Sequence, residues 1–364
     1  MMNDQHVPAA IKDYLESSSD FSMDRYSSKG GFGYLYFGTR NITLDRVALK
    51  FYELTGGKND HAEPLALIKV SNDNILKILD ARYISDKFAF HVTPEIDGGD
   101  LDHYLKGRFI HSHEAIQIAY GILQGLNTLH SEPYNWVHMD LKGANILIDA
   151  SNNKPYIGDF GSVKKLLPGK DYAENGQSTL FYMPPELIRD GKHYRQSDIY
   201  QIGVIFFQLL HGAFPVDTPD QWLTTRERHK LYQLATAESQ KDYFKQQIKD
   251  KIVRGKLLDL KSLPVFVGGQ LKKILRKALD PDYRSRYPNC PAFQKALYDY
   301  KKQSKDWWME DPHYYAYCKI KERYYKLTRN PKSVLIQISP DQIKWRKKEE
   351  VPSLEIAVEY VNAQ

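Results

Sequence analysis

His138-Met139-Asp140-Leu141-Lys142-Gly143-Ala144-Asn145 is the stretch on which the reading of this chain turns. Asp140 and Asn145 stand five residues apart, so one short loop can aim a carboxylate and an amide into the same cleft. A carboxylate so placed orients a hydroxyl and accepts its proton, and an amide oxygen ligates a hard cation. Fourteen residues after Asn145, behind the apolar pair Tyr156-Ile157, comes Asp159-Phe160-Gly161. An Asp at a strand end followed by Gly is by default a turn. Beside Asn145, though, Asp159 supplies a second oxygen ligand. Mg2+ suits such a site, because it takes few protein ligands and keeps waters and substrate phosphates.

Working upstream, residues 28–36 read S-K-G-G-F-G-Y-L-Y. Glycines in a turn between strands let backbone N–H groups approach phosphate oxygens with no Cβ in the way. Alone, such a turn is more often a plain hairpin. Seventeen residues after Gly33, Lys50 ends Val47-Ala48-Leu49-Lys50. A lysine there is by itself usually a solvated edge residue. The glycine turn followed by V-A-L-K is much rarer than either part.

The surroundings give the fold class. Residues 21–96 are mostly strand-like, with a helical stretch near 61–70. After Gly98-Gly99 the pattern turns helical, and Ala115, Ile116, Ile118, Ala119, Ile122, Leu123, Leu126 and Leu129 recur at helix spacing. The expectation is an α+β protein of two lobes: a small β-rich one over 21–94 and a larger α-helical one over 95–304. Residues 1–20 are polar, and their Ser17-Ser18-Ser19-Asp20 stretch reads as a lead-in or as a helix stop. Residues 305–364 read as a separate aromatic and basic extension, partly β. Within it, 333–338 is a strand candidate, and the alternation of Leu354, Ile356, Val358 and Tyr360 predicts another.

Composition sets outer bounds. The chain has 364 residues, 42% hydrophobic and 26% charged, which excludes a mostly disordered or collagen-like protein. Lys+Arg 51 against Asp+Glu 45 leaves +6, too little over this length to demand nucleic acid or an anionic membrane. Two cysteines make no disulfide framework, so a reducing compartment is the default. The start is polar and lacks a secretory core. The most apolar window, 202–214, is interrupted by Gln208 and His211 and is too short to span a bilayer. A cytoplasmic protein with no membrane segment is expected.

In this order the motifs resemble a eukaryotic-type serine/threonine protein kinase over roughly residues 21–301, with H-M-D in the catalytic loop. The resemblance implies ATP and Mg2+ as cofactors, with Mn2+ as an alternative, and protein substrates bearing Ser or Thr acceptors. It implies that Ser28, Lys29, Gly30, Gly31, Phe32 and Gly33 cover the phosphates, Ser28 replacing the usual first glycine. Lys50 then holds the α- and β-phosphates, with Glu63 as its helix-borne partner. Asp140 is the implied catalytic base, Lys142 the residue that reaches the transferred phosphate, and Asn145 and Asp159 the metal ligands. Leu35, Ala48 and Leu147 should sandwich adenine, Pro94 to Ile96 should supply the hinge, Thr93 the gatekeeper, and Asp100 should reach the ribose. Lys142 together with Thr179, shortly before Pro184-Pro185-Glu186, resembles serine/threonine rather than tyrosine kinases. Asp198 matches a buried support of the catalytic loop, and Arg286 a partner for Glu186. Met139 departs from the family's usual arginine, which normally binds a phosphorylated activation segment; methionine cannot pair with phosphate.

Other readings stand beside this one. A pseudokinase scaffold usually lacks an equivalent of Lys50, Asp140 or Asp159, and all three are present. A small-molecule kinase shares the nucleotide chemistry but has no need of the P-P-E peptide-docking surface. Residues 301–364 carry 13 Lys+Arg against 9 Asp+Glu with interleaved aromatics, which could stack on nucleic acid; an amphipathic extension packed on the larger lobe is the stronger reading. The charged, helix-prone residues 221–263 read as a docking insert or as an exposed helical hairpin. His111, His113, His193 and His211 show no metal-ligand spacing and read as ordinary.

Overall fold

The computed structural model describes residues 6–27, 33–56, 61–174, 176, 178–214 and 219–364. Ser28, Lys29, Gly30, Gly31 and Phe32, expected to cover phosphates, lie outside the described residues.

The polar lead-in contains a helix, α1 (Ala9–Ser17). Ile11, Tyr14 and Leu15 recur at i, i+3 and i+4, and this narrow stripe packs on the sheet that follows. That sheet holds β1 (Phe21–Ser27), β2 (Tyr34–Arg40), β3 (Arg46–Glu53), β4 (Asp80–Tyr83) and β5 (Phe88–Pro94) in the order β1-β2-β3-β5-β4. All neighbours are antiparallel. Helix α2 (Ala62–Leu67) lies between β3 and β4 in the chain. Tyr36, Leu49, Phe51, Phe90 and Val92 form the core under α1. The β3–β5 register sets Lys50 opposite His91 and Ala48 opposite Thr93.

The larger lobe is built on two helices. After α3 (Leu101–Leu105) comes α4 (Ser112–His130), whose expected apolar stripe is fully buried. Short strands follow: β6 (Trp136–Val137), β7 (Ile146–Asp149), β8 (Lys154–Ile157), β9 (Lys164–Lys165) and β10 (Tyr172–Glu174). Then come α5 (Pro185–Asp190), β11 (Lys192–Tyr194) and α6 (Arg195–Leu209). α6 is buried on nearly every side, so its polar residues must find partners inside the protein. α7 (Thr225–Tyr232), α8 (Ala237–Val253), α9 (Gly269–Ala278) and α10 (Cys290–Gln303) complete the lobe. Ile248 and Ile252 of α8 are fully buried in a cluster with Trp222, and Phe181 stacks on Trp222 at 4.9 Å. The segment 221–263 is therefore packed beneath residues 180–188 rather than standing free as an exposed hairpin.

The final residues form an antiparallel meander of β12 (Asp306–Glu310), β13 (His313–Cys318), β14 (Arg323–Asn330), β15 (Ser333–Ser339) and β16 (Arg346–Val351). The expected strand at 354–361 is instead helix α11 (Leu354–Ala363). Leu354, Ala357, Val358 and Val361 are buried at i, i+3, i+4 and i+7, whereas Ile356 is 44% exposed. Ser353 caps the helix by accepting the Ile356 N–H at 3.3 Å. The core runs without a break from α4 and α6 into this sheet and α11, and Trp307 lies parallel to Phe266 with ring centres 5.9 Å apart.

Candidate active site

The Asp140 carboxylate sits in a compact polar knot. Lys142 Nζ donates to Asp140 Oδ2 at 2.7 Å. Thr179 gives Asp140 Oδ1 both its backbone N–H at 2.8 Å and its hydroxyl at 2.9 Å, and Lys142 Nζ reaches Thr179 Oγ1 at 3.0 Å. Burial alone raises the Asp140 pKa, but the Lys142 ammonium and the Thr179 donors outweigh it and hold the carboxyl below its ordinary range. Asp140 is thus a carboxylate at neutral pH.

Asn145 is the buried end of a short 3-10 turn, and its Nδ2 donates to the Asp140 carbonyl at 2.8 Å. That bond assigns the amide orientation and leaves Oδ1 as the end able to meet a cation. Asp159 takes a left-handed backbone (φ +54°), a conformation Asp tolerates better than most residues. Its Oδ1 lies 3.8 Å from Lys50 Nζ, and Lys50 Nζ donates to Glu63 Oε2 at 2.6 Å. Burial disfavours the Lys50 ammonium, yet Glu63 and Asp159 more than compensate and keep its pKa above the ordinary lysine range. Behind it, burial and the Lys50 charge push the His91 pKa down to about 3, so that imidazole is neutral.

The register places the residues expected to wall a nucleotide. Ala48 is buried against Thr93, itself 6% exposed, and Leu35 opposes Lys50 across β2 and β3. The chain just after the expected hinge is tied to β7, with Gly98 N–H donating to the Ile148 carbonyl at 3.0 Å and Ile148 N–H to the Gly99 carbonyl at 2.9 Å. A Cβ on Gly98 would lie 2.3 Å from that Ile148 oxygen, so only glycine fits there. Pro94 ends β5 and Ile96 follows it; between them Glu95 pairs with Arg25 and Arg46 across the sheet edge. Asp100 pairs through its backbone with Leu147, and its Oδ1 caps α3 by accepting the His103 N–H at 2.7 Å.

Beneath the loop, Asp198 of α6 is fully buried and accepts four hydrogen bonds. They come from the His138 N–H (2.9 Å), the Met139 N–H (3.0 Å), His130 Nε2 (2.8 Å) and His193 Nε2 (2.8 Å). Burial raises its pKa, but the imidazoles of His193 and His130 reverse this and hold it well below the carboxylate range. Gln201 donates to the Met139 carbonyl at 3.0 Å and to Ser178 Oγ at 2.9 Å. Farther out, Arg286 forks onto Glu186 with two bonds of 2.8 Å, both side chains essentially unexposed. His193, read from the sequence as ordinary, is instead a buried partner of Asp198, and the sequence assigns no role to His130 or Gln201. Their partners lie five to 68 residues away along the chain, and no local spacing marks them.

A profile of the protein kinase domain matches residues 27–298. The chain is 34% identical over 222 residues to the probable serine/threonine-protein kinase PBL28 of Arabidopsis thaliana, covering 57% of this chain and 58% of that one. It is 31% identical over 222 residues to the receptor-like kinase LIP2 of Arabidopsis thaliana, covering 57% of this chain and 39% of that one. It is 25% identical over 206 residues to the serine/threonine-protein kinase sid1 of Schizosaccharomyces pombe, covering 56% and 43%. These matches span well under two thirds of each relative's own length. With its β-rich lobe, its helical lobe and the ordered motifs between them, the chain belongs to the eukaryotic-type protein kinase family.

Proposed function

We propose that this chain transfers the γ-phosphoryl group of ATP to serine or threonine hydroxyls of proteins. The observation that carries the reading is the convergence of Lys142 and Thr179 on Asp140. A carboxylate held between an ammonium and a threonine is aimed, charged and shielded from bulk water, as a hydroxyl-orienting group needs to be. Its lowered pKa makes orientation its main task, with the proton accepted late, which suits a loose transition state. Lys142 neutralises charge developing on the transferred group, and Lys50, fixed by Glu63, holds the non-transferred phosphates.

Among the described residues no cluster of three or more His, Cys, Asp or Glu could cage a metal by itself. One carboxylate, Asp159, and one amide oxygen, Asn145, fit instead a Mg2+ that arrives with phosphate oxygens and waters, Mn2+ being the alternative. When bound, that ion supplies charge neutralisation at the phosphates. Ala48, Leu35 and Leu147 wall the base, with Thr93, Pro94 and Ile96 along the hinge, Asp100 toward the ribose and Gly33 closing the phosphate loop. No helix among the described residues is long and apolar enough to cross a membrane. The cytoplasmic location we propose rests on the cysteine content, two residues that make no disulfide framework.

The test pairs the wild type with Asp140→Asn in Mg-ATP and maps phosphosites by mass spectrometry. Phosphoserine or phosphothreonine in the wild type alone is the expected result. Equal labelling of both, or phosphotyrosine as the main product, overturns the reading. A protein that binds ATP but labels nothing is the scaffold alternative.

A further inference from the structure

A closed circuit of contacts joins the catalytic loop to the activation segment, and it contains neither phosphate nor arginine. Met139 holds a left-handed backbone (φ +74°), and its N–H donates to Asp198 Oδ1. The same oxygen accepts from His193 Nε2. His193 is buried in β11, directly opposite Ala173 of β10. Ala173 packs with Leu166, Val137 and the Met139 side chain in a small apolar cluster of its own. The circuit therefore begins and ends at Met139, passing once through the segment between Asp159 and Pro184. A second hook lies beside it, where Gln201 bridges the Met139 carbonyl to Ser178, next to Thr179.

The choice of histidine at 193 has a cost that packing does not explain. The Asp198 carboxylate only accepts, so His193 must spend a proton on Nε2. Its Nδ1 is then buried with no partner. An unsatisfied buried nitrogen is unfavourable, and an apolar residue would avoid it if filling space were the only requirement.

We propose that His193 is a positioning residue: through Asp198 it locks β10 to the catalytic loop and keeps Thr179 in place against Asp140 with no phosphorylated residue in the segment. This rests on the kinase reading above. His193→Gln keeps an N–H donor near the Nε2 position, whereas His193→Ala removes it. Ala173→Asp attacks the same circuit from the other side by placing a carboxylate in the apolar cluster, without touching Asp198.

The experiment measures peptide phosphorylation, folded fraction and hydrogen exchange over residues 163–180 in the full chain. We expect His193→Ala and Ala173→Asp each to lower kcat about tenfold or more, with the KM for ATP within about twofold. Exchange over 163–180 should rise in both, and His193→Gln should recover most of the activity. Activity that merely tracks folded fraction, or exchange that stays at wild-type level, overturns the lock. Should His193→Ala fail to fold, Ala173→Asp and the exchange of His193→Gln decide. A wild type that transfers no phosphate sinks the kinase reading, and the exchange comparison then decides the lock alone.

Discussion

The Asp306 carboxylate caps helix α4 from the far end of the chain, accepting the His113 N–H at 2.9 Å across 193 residues of sequence. The helix's own N-cap residue, His111, offers no side-chain bond to it. Ser112 Oγ joins the junction, donating to Asp306 Oδ1 at 3.3 Å and accepting the Trp307 N–H at 2.9 Å. The C-terminal sheet thus completes the central helix of the kinase lobe. Asp306→Ala should cost about 1–2 kcal/mol, the usual worth of an N-cap. Urea unfolding of the full chain reads this directly, and an unchanged midpoint would show that the cap is idle.

The same junction makes stability depend on pH in a defined direction. Burial lowers the His111 pKa, but Asp306, bonded at 3.1 Å, outweighs it and leaves the pKa above its ordinary value. Burial raises the Asp306 pKa, and His111 and the His113 N–H bring it below its ordinary value. The His111 contribution is complete below about pH 6.5 and is lost as pH rises through the raised value. The Asp306 contribution is complete above about pH 4 and is lost as pH falls through the depressed value. The His111 side chain is 41% exposed, so solvent screens the pair and the effect is small. The gap in unfolding midpoint between wild type and His111→Gln should therefore shrink from pH 6 to pH 9 by about the full small amount. A gap that widens over that range contradicts the pairing.

How far such contacts are legible in sequence depends on their range and on their pattern. Asp140, Lys142 and Asn145 share one turn, so their spacing suggests that they meet, whereas the pairing of Lys50 with Glu63 is what the family resemblance implies. Asp306 and His113, or His193 and Asp198, carry no such mark, because their approach depends on how whole elements pack. The misread segment 354–361 shows a different limit. Leu354 and Val358 belong both to an alternating set with Ile356 and Tyr360 and to a helical set with Ala357 and Val361. Only burial tells the two apart, and Ala357, small enough to be overlooked, is fully buried. Helix α1 ends at Ser17, where the serine run offers a helix stop, but its body is marked only by the short stripe of Ile11, Tyr14 and Leu15, of which Ile11 alone is fully buried.

The Glu186–Arg286 fork links α5 to the turn before α10, and Glu186 also accepts a hydrogen bond from Ser197 at the start of α6. Burial raises the Glu186 pKa, but Arg286 and Ser197 bring it below the ordinary carboxylate value. Removing one partner leaves the other charge buried and uncompensated. Arg286→Met should therefore destabilise by about 3–5 kcal/mol, and the double variant Arg286→Met, Glu186→Leu by clearly less. Calorimetry on wild type and the two variants checks this, and a double variant no more stable than Arg286→Met contradicts it.

Met139 carries the last prediction. Its side chain is buried among Val137, Leu166 and Ala173, and a Cβ on Gly176 would lie 2.1 Å from its terminal methyl. Methionine thus occupies the space beneath the activation segment with apolar contacts, where an arginine would require an anion to neutralise it. Two consequences separate this arrangement from one that depends on phosphate. Phosphatase treatment of the purified chain should leave kcat within about twofold of the untreated value, because no phosphate contact is there to lose. Met139→Arg should bury a guanidinium in the cluster and destabilise the protein by about 3 kcal/mol or more. If the dephosphorylated wild type were nearly inactive, the segment would need a phosphate after all, and the apolar cluster would be no more than packing. If Met139→Arg were as stable as wild type and became active only when phosphorylated, the site would be shown to accept either mode of support, and methionine alone would have removed the switch.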